Sequence, residues 1–261
     1  MGKEPSSTKR QLWVKPPLSA EHGASVTLAI CFLMGAWIAG QWNLNTIIAL
    51  ITAFTAFELQ VPLTRMIRRR RLELRLVTWA LLYGLGAIVG AGTLWLHNPI
   101  LGRIYAVAVG VLLINLIGAV QKDQKSIWNE LAVFAGLCLA LPFAYTATAG
   151  QMIRELLGLW LLCTLVLSSA IFTVRLRLLG DEVLAGAAAY HIAALAVVFL
   201  LVQLELLKPE LAWTFLIPLV KLVLIILRLD EYQRLKMTKI GFLETGLAIL
   251  FALLAGYLSR L

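Results

Sequence analysis

From Ala24 to its end the chain is a succession of apolar stretches, each about long enough to cross a bilayer, joined by short polar connections. A hydrocarbon core about 30 Å thick needs about 20 apolar residues of helix, so the spans can be read directly. About nine are expected, over 24–42, 45–64, 76–97, 100–120, 131–149, 155–173, 183–204, 209–228 and 239–258, with the softest boundary at Gln41 to Asn43. The runs are continuous rather than alternating, which excludes a barrel, and backbone in lipid must then satisfy its own hydrogen bonds as helix. The expected fold class is all-α, a polytopic transmembrane helix bundle.

With 61% hydrophobic and 14% charged residues, there is no room for a soluble domain beyond a polar tail over residues 1–23. The tail carries Pro5, Ser6, Ser7, Pro16 and Pro17 and is expected to be disordered or draped on the surface. It lacks the apolar core and small-residue cleavage site of a signal peptide, so it is expected to stay in the mature protein. Residues 24–261 then form a single transmembrane domain.

Lys and Arg set the orientation, because positive charge is retained on the cytoplasmic side during insertion. Lys3, Lys9, Arg10 and Lys15 lie in the tail, and Arg65, Arg68, Arg69, Arg70, Arg71 and Arg75 in the second connection. Lys122 and Lys125 follow in the fourth, Arg175 and Arg177 in the sixth, and Arg228, Arg234, Lys236 and Lys239 in the eighth. The opposite face receives only Arg103, Arg154, Lys208 and Arg260. The amino terminus is therefore expected in the cytoplasm and the carboxyl terminus outside. The net charge of +9 reads as topology plus attraction for anionic membrane lipids, not as nucleic-acid binding. The expected location is a multi-pass cell membrane, either a bacterial plasma membrane or an internal photosynthetic one.

Cys31, Cys138 and Cys163 fall in different spans without paired spacing and are expected to be reduced packing thiols. P-loop, HExxH, CxxC and GxSxG signatures are missing. Asp occurs only at Asp123, Asp181 and Asp230, which disfavours a site built on several divalent cations, so no metal is expected. No pair of histidines is spaced to bracket a haem, and no cofactor is expected. His97, in the turn His97-Asn98-Pro99, reads as a solvated turn residue.

Polar residues inside the spans carry what functional information there is, because lipid makes them costly unless they face a cavity or a partner. At about 1.5 Å per residue, Glu58 lies roughly 10 Å inward of Arg65, Asn115 of Lys122, Ser168 of Arg175 and Lys221 of Arg228. Each of these seven-residue steps is nearly two turns, so each inner group shares a face with its rim cation. Glu244 and His191 sit at comparable depth. The expectation is one cavity open to the cytoplasmic side, with a cationic mouth and a polar floor. The alternative treats each residue singly: Lys221 snorkels, Ser168 and Asn115 bond to neighbouring helices, and Glu58 pairs with an arginine.

The fourth connection places Asn115, Lys122, Ser126 and Asn129 at helical spacing, and Lys122, Lys125 and Ser126 suit a phosphate or carboxylate. A solvated charged loop is the plain alternative. Near the first span, Glu21-His22-Gly23 puts an acid and a histidine at the helix mouth, for acid/base work or simply to begin the helix.

These landmarks carry a resemblance. Glu21-His22-Gly23, Asn115 with Lys122 and Lys125, and Ile240-Gly241 followed by Glu244 resemble the YwiC-like family of integral membrane proteins over most of the chain from Lys15. The family pattern continues His-Gly with Ala and an aromatic residue, whereas Ser25 follows Ala24 here. The resemblance implies a membrane fold and a set of landmark residues, not a reaction. A more distant architectural likeness is to intramembrane aromatic prenyltransferases, which hold magnesium and a prenyl diphosphate on two Asp-rich segments. The matching stretches here, Glu58 to Arg71 and Arg175 to Glu182, lack that carboxylate ladder, so prenyl transfer is not expected.

Three classes of function follow. The first is binding of an anionic lipid or isoprenoid-like amphiphile, the second small-molecule or proton-coupled transport, and the third assembly of another membrane protein. Gly84, Gly86, Gly90 and Gly92 in the third span and Gly186 in the seventh permit the close helix approach that the last would use.

Overall fold

A computed structural model of the chain describes residues 16–19 and 22–260, apart from the side chain of His22. Glu21, the His22 imidazole and most of the tail lie outside the described residues. Among the described residues every regular element is helical. In chain order they are α1 (His22–Ala39), α2 (Leu44–Arg69), α3 (Leu74–His97), α4 (Leu101–Gln121), α5 (Ile127–Cys138), α6 (Ala140–Ala149), α7 (Glu155–Leu179), α8 (Leu184–Gln203), α9 (Pro209–Ala212), α10 (Leu216–Leu227), α11 (Leu229–Gln233) and α12 (Met237–Arg260). Short 3₁₀ turns at Gly180–Val183 and Trp213–Phe215 link α7 to α8 and α9 to α10.

Among the described residues seven helical stretches are long and apolar enough to cross a membrane, and Gly23–Ala39 is apolar but shorter. One of the seven, Glu155–Gln203, doubles back on itself. Tyr190 Oη donates to the Leu165 carbonyl at 2.7 Å, whereas the 25 residues between them would separate the two by roughly 37 Å in one straight helix. The reversal falls at Gly180, whose φ of 63° is readily reached without a side chain. Stacking of Phe172 on Tyr190, with centroids 4.1 Å apart, fastens the hairpin.

The caps explain why the other turns sit where they do. Asn43 opens α2 with a capping box: its Oδ1 accepts from Thr46 N at 3.0 Å while Asn43 N donates to Thr46 Oγ1. Ser126 caps α5 by accepting from Asn129 N at 3.4 Å. Pro142, which has no N–H to donate, marks the break between α5 and α6. The carbonyls that end α6 would be orphaned in an apolar setting. Three side-chain amides from two other turns satisfy them: Asn43 Nδ2 and Gln41 Nε2 reach the Thr148 carbonyl at 3.0 and 3.3 Å, and Asn98 Nδ2 reaches that of Thr146 at 3.3 Å.

α1 and α6 form the centre of the bundle. Residues 140–148 are all buried, and Gly35 of α1 lies directly against the Leu141 backbone carbonyl, where a Cβ would find no room. α3 is peripheral; it packs along α2, with Gly86 against Thr55 and Gly90 against Thr52, while Gly92 and, on α8, Gly186 face open space. Large apolar side chains point outward around the bundle, among them Ile88, Leu96 and Phe242, each more than 70% exposed. In water that surface would be costly, but a bilayer supplies a solvent as apolar as the side chains themselves. The three cysteines, far apart in sequence, lie near one another in the buried centre of the bundle and are free thiols.

Candidate functional site

One end of the bundle collects the basic connections. There Arg175 donates to the Lys125 carbonyl at 2.6 Å and to Glu130 Oε2 at 2.9 Å, and Arg177 binds the Leu235 carbonyl. Arg65 reaches the Leu18 carbonyl at 3.3 Å, and Ser19 N donates to Glu58 Oε2 at 3.0 Å. Glu58 and Arg65 thus fix residues 18 and 19 to the flank of α2. Arg228 is exposed and faces Glu231 at 3.8 Å.

Two cavities lie inward of this end; Asn115 lines the first, and Lys221 and Glu244 line the second. The first arises because α3 and α4 touch beside their turn, where Tyr105 Oη donates to the Ala91 carbonyl at 3.1 Å, and then diverge. The resulting fissure, about 340 Å³, is bounded by α1 to α6, and Ala53, Ala56, Ala87, Ala91, Ala108 and Ala140 make it roomy. That volume lies at the lower end of the range for small-molecule sites. Polar groups are few and most are committed locally; Thr52 donates to the Ile48 carbonyl.

The exception is an amide chain at the basic end of the fissure. Asn115 Nδ2 donates to Gln60 Oε1 at 2.8 Å, Gln124 Nε2 reaches Asn115 Oδ1 at 3.4 Å, and Asn129 Nδ2 donates to the Gln124 carbonyl at 2.9 Å. Gly118 makes room for Asn129, whose Oδ1 is buried without a hydrogen-bond partner. Gln60 is engaged through its oxygen, which leaves its Nε2 hydrogens uncommitted among the described residues. Lys122 and Lys125 are exposed on the connection above this chain, and Lys122, at φ 61°, closes α4. An apolar slot ending in amide donors below a pair of ammonium groups can hold a chain and hydrogen-bond the oxygens at its head.

The second cavity, about 230 Å³, lies between α1, α5, α7, α10 and α12, with Gly23, Val174 and Met237 at its basic-end margin. Lys221 and Glu244 meet in its wall. Lys221 Nζ lies 2.9 and 3.1 Å from the two Glu244 oxygens and 3.1 Å from Ser169 Oγ, and Thr173 Oγ1 donates to Glu244 Oε1 at 2.8 Å. The two charged side chains are only 6% and 18% exposed. His191 is buried nearby; its Nδ1 is 2.7 Å from the Ala187 carbonyl and so must carry the proton, and Nε2 has no partner. Ser168 belongs to the α7–α8 hairpin, bonding Tyr190 Oη at 2.6 Å and the Thr164 carbonyl.

The structure therefore brings Lys221 together with Glu244, and Asn115 with Asn129 and the Lys122–Ser126 connection, but it does not place the six span residues around one cavity. Depth along each helix is legible in a sequence, whereas rotation about each helix axis, which decides the face, is not. Gln60, Ser169 and Thr173 escape a reading by depth. The i, i+4 pair Ser169/Thr173 and the second polar residue beside Glu58 are the signals that point to them.

A bundle whose described elements are all helical, with apolar side chains outward and seven stretches long and apolar enough to cross a membrane, is a multi-pass membrane protein. Residues 18–145, just under half of the chain, match the family model described as YwiC-like protein. All residues that line the fissure, from Leu28 to Phe143, lie within it, whereas Lys221, Ile240, Gly241 and Glu244 lie beyond it. No curated protein and no solved structure matches the chain.

Proposed function

We propose that the chain crosses the bilayer nine times, with its amino terminus in the cytoplasm and its carboxyl terminus outside, and binds an anionic lipid or isoprenoid-like amphiphile in the fissure between α3 and α4. The nine spans count α1, α2, α3, α4, the kinked pair α5–α6, α7, α8, the run α9–α10, and α12. What supports α7 and α8 as separate spans is the Tyr190–Leu165 bond across their hairpin. The charge asymmetry of the connections supports the orientation.

The observation that carries the binding reading is the Asn115–Gln60 amide pair at the basic end of an otherwise apolar fissure. The tail enters sideways from the bilayer between the diverging helices. The head is held by amide hydrogens of Gln60 and Asn115, with its negative charge toward Lys122 and Lys125. Mass spectrometry of small molecules retained after gentle purification tests this: wild type keeps an anionic amphiphile, and Lys122→Ala/Lys125→Ala and Asn115→Leu each lose it. Equal retention by all three proteins overturns the reading.

A further inference from the structure

The Lys221–Glu244 pair stands apart from the fissure and from the residues of the family match. An ionised pair deep in the bundle carries little net stabilisation, since removing two charges from water offsets most of their attraction. Here the pair also lines a cavity whose margin reaches the exposed Gly23, Met237 and Gly241, so an incoming group can reach the ammonium. The walls are otherwise apolar, with Phe134, Ile217, Val166 and Leu247 among them. The volume is below that of ordinary small-molecule sites, which restricts an occupant to a few heavy atoms.

Lys221 offers one cation, and Ser169 adds a hydroxyl within reach of Nζ. That donor set fits one carboxylate. An anion added to a neutral buried pair would leave an uncompensated negative charge in a low-dielectric site, so a proton must accompany it. We propose that Lys221 and Glu244 form a proton-linked anion site: a small monocarboxylate takes the place of the Glu244 carboxylate at Lys221 Nζ, and Glu244 takes up one proton from water. Thr173 Oγ1 then stays bonded to the protonated Glu244, and the cavity remains neutral overall.

The other groups around the pair are compatible with this exchange. His191 on α8 is close enough to feel both charges and keeps a free Nε2 lone pair. Thr27 on α1 is neutral, and Phe134 on α5 is apolar. Tyr232, on the connection between α10 and α12, has its phenol pushed up to about 12 by burial and by the Glu244 charge. Glu244 is the carboxylate already in contact with Lys221 Nζ, so it is the group that an incoming anion displaces there.

Titration calorimetry with hexanoate as the probe, in two buffers of different ionisation heat and from about pH 5 to about pH 8, tests the exchange. Wild type is expected to take up about one proton per hexanoate bound and to lose affinity about tenfold per pH unit once Glu244 is ionised. Glu244→Gln, a neutral residue of the same shape, is expected to bind hexanoate without proton uptake and independently of pH. The isosteric neutral pair Lys221→Met/Glu244→Gln is expected not to bind; it removes both charges together, so loss of folding through an unpaired ion is not at issue. Hexanoate binding by the double variant, wild-type binding without proton uptake, or no binding by wild type at any pH each overturns the proposal. None of these results bears on the fissure, whose test is retention of an amphiphile.

Discussion

Asn115 on α4 and Gln60 on α2 are hydrogen-bonded across the inner end of the fissure, 55 residues apart in sequence. The bond sets the two helices at a fixed separation while α3, which packs on α2, swings away from α4. Asn115→Leu deletes a partly buried amide bond and is expected to lower stability by only about 1 kcal/mol, because the Leu side chain recovers packing. The same substitution is expected to abolish amphiphile retention. Thermal unfolding measured beside retention separates the two effects: a large stability loss with retention intact would make the amide pair a structural tie alone.

Removing one member of the Lys221–Glu244 pair is expected to be far worse than removing both. Lys221→Met leaves a carboxylate at 18% exposure with only Thr173 as its bonded partner, and the expected loss is about 3 kcal/mol. Lys221→Met/Glu244→Gln is expected within about 1 kcal/mol of wild type. Unfolding curves in one detergent give the comparison, and equal losses in the two variants would show that the pair is not coupled.

Two kinds of helical glycine are expected to respond oppositely to alanine. At Gly35 a Cβ would press on the Leu141 backbone, which has no rotamer to escape into, so Gly35→Ala is expected to prevent normal folding. At Gly92 and Gly186 nothing lies within 4 Å, and alanine is expected to be neutral or to add up to about 1 kcal/mol through helix propensity. Expression yield and melting temperature of the three variants read this directly.

The native cysteines make topology easy to map, since all three are buried and silent to a membrane-impermeant thiol reagent. Lys125→Cys is expected to be labelled only when the cytoplasmic side is opened, and Lys208→Cys from the outside of intact cells. Labelling with the opposite sidedness would invert the orientation; labelling of both from one side would break the nine-span count.

Much of the helical order is legible in the sequence. The apolar runs mark the helices to within a few residues, and even the soft boundary at Gln41 to Asn43 coincides with the true break, where Asn43 caps α2. The seven-residue steps single out Asn115 and Lys221, each of which lines a cavity. They also favoured Ser168 over Ser169, because Ser168 is spaced from Arg175 like the others. One residue is about 100° around a helix. That rotation sends Ser168 to Tyr190 and Ser169 to Lys221, and nothing in a single apolar span encodes it. The convergence of Cys31, Cys138 and Cys163 was invisible for the same reason, since it depends on which helices neighbour one another.

The most direct test of the central claim is to fill the fissure. Ala87→Phe/Ala108→Phe places two rings on facing walls without touching Asn115, Gln60 or the lysines, and the amphiphile retained by wild type is then sought by native mass spectrometry. The account predicts a folded protein that has lost the amphiphile. A folded variant that retains it at the wild-type level would place the ligand elsewhere and contradict the account.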